Sequence, residues 1–240
     1  METPMATLAI VIPAKNEEEN LPRLLRSINK QTVLPEQIIV ADAHSTDKTR
    51  EIASGLGAVV VDGGMPGPGR NRGAGKVTTD LILFLDADVE LTDENFLKKA
   101  LAEFQEKGFD IATADVVPMS GSKLDRFGHK FYNKYVRMWG DIHPHAPGFF
   151  ILVRRSLHKA IHGFDEGVLF CEDHDYAIRA NKIGKFGFLS NVEITVSNRR
   201  LEKDGMLSIA IKFTLAELHI LLLGPIRHNA FNYSFDYRKK

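Results

Sequence analysis

The chain of 240 residues is 44% apolar and carries 31 basic against 31 acidic residues. That composition can bury the core of one large domain or two small ones, and its balanced charge supplies no field to attract nucleic acid, which is excluded as a partner. A lone cysteine, Cys171, rules out an internal disulfide and fits a reducing compartment.

The amino-terminal METPMATLAIVIP lacks the basic start and long apolar core of a secretion signal. A cytoplasmic protein is expected, with a peripheral place at the inner face of the membrane as the alternative. LAIVIP (8–13) reads as a short buried strand ended by Pro13. NEEENLPRLLRSINKQ then brings acids, Pro22 near the start, and Leu21, Leu24, Leu25 and Ile28 at helical spacing. QIIVADA (37–43) is a second strand. HSTDKTREIASGLG follows as a helix, with Ser45 and Asp47 as capping residues and Gly55 and Gly57 at its close. AVVVDG (58–63) and LILFLD (81–86) are the third and fourth strands. Strands alternating with helices imply right-handed crossovers, and continuous apolar strands imply a largely parallel sheet covered on both faces.

Between those last two strands lies GGMPGPGRNRGAGKVTTD (63–80). It lacks the Gly and the Ser/Thr of a phosphate-binding P-loop, and a dinucleotide fingerprint belongs after the first strand. Two readings stay open: a flexible surface loop, or an anion site built on Arg70 and Arg72 near a helix start.

In the second half, SKLDRFGHKFYNKYVRMWG (122–140) is an aromatic-rich amphipathic helix, with Tyr135 and Trp139 read as core and stacking on an acceptor as the alternative. FFILV is a strand, RRSLHKAIHGF follows it, CEDHDYAIRANKIG is a helix, and FGFLSNVEITVSN is extended. No repeat or linker divides the chain. The expected organisation is one domain over 1–204, with halves of about 1–118 and 119–204, and a helical tail over 205–240. The tail's MLSIAIKFTLAELHILLLG (206–224) is interrupted by Lys212, Glu217 and His219 and is marginal for spanning a bilayer. Packing against the body or dimerisation through 206–223 is the first expectation, and contact with a membrane surface the second.

LILFLDADVE (81–90) places Asp86, Asp88 and Glu90 at alternate positions after a buried strand. On a strand such positions share a face, and acids crowded there repel unless a cation sits among them. Oxygen ligands suit Mg²⁺ or Mn²⁺ rather than zinc. A solvated acidic turn, with Asp93 capping the next helix, is the plainer reading. Glu172 and Asp173 at a helix start complement its dipole, and Asp175 with Arg179 reads as an exposed ion pair. His143 and His145 have no Cys or further His at zinc spacing and read as loop histidines.

VIPAKNEEENLPRLLRSI, IIVADAHSTDKT, GRNRGA, LFLDADV and CEDHDYAIRA stand in the order and spacing of the family-2 inverting glycosyltransferases. The chain resembles that family from about Leu8 to Arg200. The resemblance implies the GT-A fold: α/β, a mostly parallel central sheet flanked by helices, here with a C-terminal apolar helix. It also implies a metal-dependent transferase that moves a sugar from a UDP- or GDP-sugar to a glycan, lipid-linked or small hydroxyl acceptor.

The resemblance assigns roles by position. Pro13, Asn16 and Glu17 line the nucleotide pocket, Asp42 binds the base, and Arg70 with Asn71 lies near base and phosphate. The usual Asp-Asp-Gly-Ser after the second strand is here Ala41-Asp42-Ala43-His44-Ser45, without the first Asp and the Gly. Asp86 reaches the ribose and the metal shell, Asp88 carries the metal, and Glu90 is a further ligand in some polyprenyl-phosphate sugar transferases. Asp173 is the general base, with Glu172 supporting it or the acceptor. Gly148 lies beside sugar and acceptor, and Arg199 and Arg200 belong to a basic lid, with a solvated turn as the other reading. Rivals are a polyprenyl-phosphate sugar transferase, a non-catalytic nucleotide-sugar-binding protein and a sugar-nucleotide pyrophosphorylase. The first needs no base because its acceptor is already ionised. The last would carry a Gly-rich basic loop where AKNEEEN stands.

Overall fold

A computed structural model describes residues 6–229 apart from 65, 121–122 and 141. Its first strand shows how one sequence run serves two layers. β1 (Leu8–Ala14) turns Leu8, Ile10, Ile12 and Ala14 into one hydrophobic cluster and Ala9 and Val11 into another, as a period of two requires. α1 (Leu21–Asn29), with Pro22 in its first turn, buries Leu21, Leu24, Leu25 and Ile28 in the first cluster. β2 (Gln37–Asp42) leads to α2 (Thr49–Gly55), where Asp47 Oδ1 accepts the Thr49 N–H at 3.0 Å. β3 (Val59–Asp62) and α3 (Pro66–Ala74) come next, then β4 (Leu81–Phe84), the short β5 (Val89–Glu90) and α4 (Phe96–Glu106). The second half runs β6 (Ile111–Pro118), α5 (Lys123–Trp139), β7 (Ile151–Arg154), α6 (Arg155–Ala160), α7 (Glu172–Asn181), β8 (Phe186–Val196), α8 (Arg199–Asp204) and α9 (Met206–Leu223).

The strands form one 8-stranded sheet in the order β3-β2-β1-β4-β7-β6-β8-β5. β3, β2, β1 and β4 are mutually parallel, as are β6 and β8. β7 is antiparallel to both its neighbours and β5 is antiparallel to β8. α1 and α4 cover one face, where Phe96 meets Phe150 edge-on at 5.7 Å. α3 and α7 cover the other, where Phe84, Phe164 and Tyr176 form an aromatic core. Ile151 of β7 stands opposite Phe84 of β4. The residues before β7, Gly148 among them, therefore reach the same sheet end as those after β4, Asp86 among them.

Three local expectations change. Of the two readings left open over 63–80 the surface loop falls: the stretch contains a helix, α3, which buries Gly67, Gly69, Arg70, Gly73 and Ala74. β4 stops at Phe84, and the chain turns through Asp86 to Val89, whose N–H donates to Asp86 C=O at 3.4 Å. Alternation along a strand is thus not what gathers the acids. β6, absent from the sequence reading, pairs with β8 across a register shift at Ala114/Asp115.

Small residues let α3 approach the sheet. A Cβ at Gly73 would overlap the Val11 side chain of β1. Gly73→Ala is expected to cost about 1–3 kcal/mol by overpacking, read as a lower urea midpoint. An unchanged midpoint would show that α3 can move off β1 freely.

α9 packs Phe213, Ala216 and Ile220 with Phe170, Cys171 and Ile226. Ile211, Leu215, Leu218 and Leu221 to Leu223 are exposed. Among the described residues no helix is long and apolar enough to cross a membrane.

Candidate active site

Arg70 organises the site. The helix that the Gly/Pro stretch allows carries its guanidinium into the interior, where the side chain is only 2% exposed. Nη1 donates to Glu172 Oε1 at 2.7 Å and Nη2 to Asp86 Oδ1 at 2.8 Å. Its other face lies 5.3 Å from the Phe164 ring centroid. Asn71 holds that ring in place: Oδ1 accepts the Phe164 N–H and Nδ2 donates to the Phe164 C=O, both at 2.8 Å. Burial alone would lower the Arg70 pKa, but the charges of Asp86, Glu172 and Asp173 outweigh it and the net direction is upward. Glu172 moves up from the ordinary carboxylate value because it is buried and faces Asp173, with Arg70 opposing.

Gly148 is explained by the same guanidinium, since a Cβ at that position would fall on Arg70 Nη2. Without a side chain, Gly148 brings its backbone close enough for its N–H to donate to Asp173 Oδ2 at 2.7 Å. Asp173 Oδ1 accepts the His174 N–H at 2.9 Å. Both oxygens are thereby oriented, and each keeps lone-pair capacity. Asp173 is the one partly exposed residue in the otherwise buried run 171–177. Cys171, at φ 57, makes the left-handed turn that starts α7 and sets Glu172 and Asp173 side by side.

The ends of β1 and β2 form a second group. Asp42 is fully buried, and its Oδ2 accepts from Ser45 N–H and Arg50 Nη1, both at 3.1 Å. Its Oδ1 has no hydrogen-bond partner among the described residues, a state that costs stability unless a donor arrives. His44 adopts φ 55, a left-handed conformation at a residue type that tolerates it. Asn16, also at φ 55, accepts the Thr46 N–H at 2.9 Å and ties the β1 and β2 loops together. Pro13 lies in β1 opposite Ala41.

Arg199 joins this group to the acidic turn. Its Nη1 and Nη2 donate to Glu17 Oε2 and Oε1 at 3.0 and 2.6 Å, and its Nε lies 3.0 Å from Asp88 Oδ2. Glu90, on β5, lies 3.6 Å from Arg23 Nε. Asp86, Asp88 and Glu90 thus face Arg70, Arg199 and Arg23 in turn, and they do not form a three-donor cluster among the described residues. Arg200 belongs to α8, and its side chain lies outside the described residues.

Two groups differ from their sequence reading. The Asp175–Arg179 pair, at 2.7 Å, is half-buried rather than exposed, and Arg179 Nη1 also donates to the carbonyls of Ile161 and Gly163 at 2.8 Å. His143 and His145 are not merely loop histidines, because Glu217 of α9 reaches both, at 3.0 and 2.9 Å. His174 Nδ1 lies 2.9 Å from the same carboxylate. Burial pushes the Glu217 carboxyl up, but the neighbouring His145 and His174 imidazoles prevail and hold it below the usual range. The signal for this cluster was the His-x-His spacing, while its carboxylate partner lies 72 residues away from His145.

Sheet order, the acid-bearing turn after β4 and the Glu-Asp start of α7 define an α/β enzyme of the GT-A class. The sequence profile of glycosyl transferase family 2 matches residues 9–161, and the chain belongs to that family. The 4,4'-diaponeurosporenoate glycosyltransferase of Staphylococcus haemolyticus is 36% identical over 107 residues, covering 41% of this chain and 28% of that protein. The chain therefore matches less than a third of the length of this curated relative. S. aureus TarS, solved with UDP-GlcNAc, superposes with a TM-score of 0.65 at 20% identity, over 96% of this chain and 76% of its own. The mannosyltransferase PcManGT from Pyrobaculum calidifontis, solved with GDP-Man and Mn²⁺, gives 0.68 at 16% identity, over 90% of this chain and 62% of its own. At such identities the solved structures establish the fold.

Proposed function

We propose that the chain is a metal-dependent inverting glycosyltransferase that moves a sugar from a nucleotide-diphosphate sugar to an acceptor hydroxyl. The observation that carries this reading is the buried Arg70, which links Asp86 of the acidic turn to Glu172 of the Glu-Asp pair, with Asp173 anchored on Gly148 beside it. Donor acids and candidate base are thereby held around one fixed charge.

The donor nucleotide belongs at the ends of β1 and β2, where the unpartnered Asp42 Oδ1 is ready to accept an N–H from a base. Asp86 and Asp88 fit a hard cation: both are carboxylates, both stay partly exposed at 37% and 22%, and Mg²⁺ or Mn²⁺ commonly takes few protein oxygens and completes its shell with phosphate and water. The cation supplies neutralisation of charge at the leaving diphosphate. Arg199, paired with Asp88 and Glu17 here, is positioned to move from these carboxylates to the diphosphate when the donor enters. In the transfer step the acceptor oxygen forms a bond to the anomeric carbon as the bond from that carbon to the diphosphate breaks. Asp173 takes the hydroxyl proton. The catalytic unit in this proposal is 1–204, with α9 from the tail lending Glu217.

The test is calorimetric titration of UDP and of GDP, each with Mn²⁺ or with EDTA, on wild type and on Asp88→Ala. One nucleotide is expected to bind, with affinity falling at least tenfold, about 1.4 kcal/mol, on chelation or substitution. Binding of neither nucleotide in a metal-dependent way would refute the proposal. Glycan, lipid-linked and small hydroxyl acceptors are then screened with the sugar nucleotide of the base that binds.

A further inference from the structure

Glu217 is the only carboxylate in α9, a mostly apolar helix, and its side chain is 12% exposed. Imidazoles from two separate parts of the chain converge on it. His143 Nε2 lies 3.0 Å from Oε2, and His145 Nε2 lies 2.9 Å from Oε1. His174 Nδ1, from α7, is also 2.9 Å from Oε1, but without the alignment of a hydrogen bond.

The protons on His145 can be placed. Its Nδ1 sits 2.8 Å from the His143 carbonyl oxygen. A carbonyl only accepts, so Nδ1 carries the hydrogen. Nε2 faces Glu217 Oε1 at 2.9 Å, a contact that a cation between the two, a proton or a metal ion, makes favourable. A hydrogen bond from Nδ1–H to a backbone carbonyl is also the arrangement that orients a metal-ligating imidazole.

We propose that His143, His145 and Glu217 form a binding site for a divalent cation of the zinc class, separate from the acidic turn at Asp86 and Asp88. One ligand atom from each of these residues lies within 4.8 Å of the others. Two imidazole nitrogens and one carboxylate oxygen suit zinc better than magnesium. Bonds of ~2.0–2.1 Å in tetrahedral array separate donors by about 3.3 Å, so the two nitrogen–oxygen contacts, at 3.0 and 2.9 Å, would open by a few tenths of an ångström around the ion. The site's role is positioning. It ties α9 to the loop that runs from His143 to Gly148, whose N–H holds Asp173, and it abuts His174, the next residue after Asp173. This site stands whether or not the proposed transfer reaction is correct.

The test uses the full chain, stripped with chelator and titrated with Zn²⁺ against a chromophoric competitor, and separately loaded with Co²⁺. Wild type and Asp88→Ala are both expected to bind one Zn²⁺ in the His site and to show the intense visible bands of four-coordinate Co²⁺. Glu217→Gln, nearly isosteric, is expected to weaken Zn²⁺ binding by at least about 10-fold, the lower end of what even outer-shell partners are worth. His143→Ala, at the more exposed ring, gives an independent reading if Glu217→Gln fails to fold by circular dichroism, and is expected to lose the Co²⁺ bands. Three results would each overturn the proposal. They are no retained zinc, zinc binding equal in wild type and both His-site variants, and zinc or the Co²⁺ bands lost in Asp88→Ala.

Discussion

Asp173→Asn is expected to bind donor nucleotide as wild type does and to transfer sugar about 10²–10⁴ times more slowly, the usual worth of a positioned general base. The substitution changes little in shape. It removes the negative charge and the ability to take a proton, and it leaves an amide with one oxygen where two backbone N–H groups, of Gly148 and His174, now find carboxylate oxygens. One of those N–H groups loses its acceptor, at about 1–3 kcal/mol, so folding is checked in parallel by urea denaturation. Single-turnover transfer and nucleotide calorimetry then separate chemistry from binding. Transfer at the wild-type rate by folded Asp173→Asn protein would remove Asp173 from the role of base. Lost binding together with lost transfer would instead place the residue in the donor pocket.

What the sequence shows of this site divides by distance along the chain. The strands β1, β2, β3 and β4 are legible because each is a short apolar run between turn-forming residues, and their alternation with helices fixes a parallel half-sheet. β6 is less legible: its Ala-Thr-Ala-Asp stretch alternates poorly, and it is made a strand by pairing with β8 rather than by its own composition. Composition leaves 63–80 undecided between a loop and a helix start. Gly73 is there because α3 lies against Val11, and Gly148 because Arg70 fills the space of its side chain. Neither reason can be seen without the partner. The Asp86–Arg70–Glu172 chain of charges joins positions 16 and 102 residues apart, and Arg199 meets Glu17 across 182. Local patterns mark the members of these groups, and only the fold says which of them meet.

Removal of the Arg70 guanidinium is expected to produce the largest loss of stability of any single substitution considered. Arg70→Met keeps much of the apolar stem but leaves Asp86 and the buried Glu172 without their shared cation, beside the charge of Asp173. Breaking a buried ion pair from one side costs about 3–5 kcal/mol, against a total stability of about 5–15 kcal/mol for a domain. Arg70→Lys should recover only part of this, since a single ammonium cannot bridge two carboxylates as the planar fork does. The pH dependence follows from Glu172, whose folded pKa is already raised by burial and by Asp173, with Arg70 the opposing influence. Without Arg70 that pKa rises further. An acid whose pKa is higher folded than unfolded weakens the fold increasingly as pH climbs from the unfolded value toward the folded one. The deficit of Arg70→Met relative to wild type should therefore shrink as pH falls through the carboxylate range and be greatest near neutrality. Urea midpoints of both proteins at acidic and neutral pH measure this directly, and adding Glu172→Gln to Arg70→Met should restore part of the loss at neutral pH. A deficit independent of pH and untouched by Glu172→Gln would mean that Arg70 stabilises the fold by stacking on Phe164 and filling space beside Gly148, and that its charge is not what holds the acidic turn to α7.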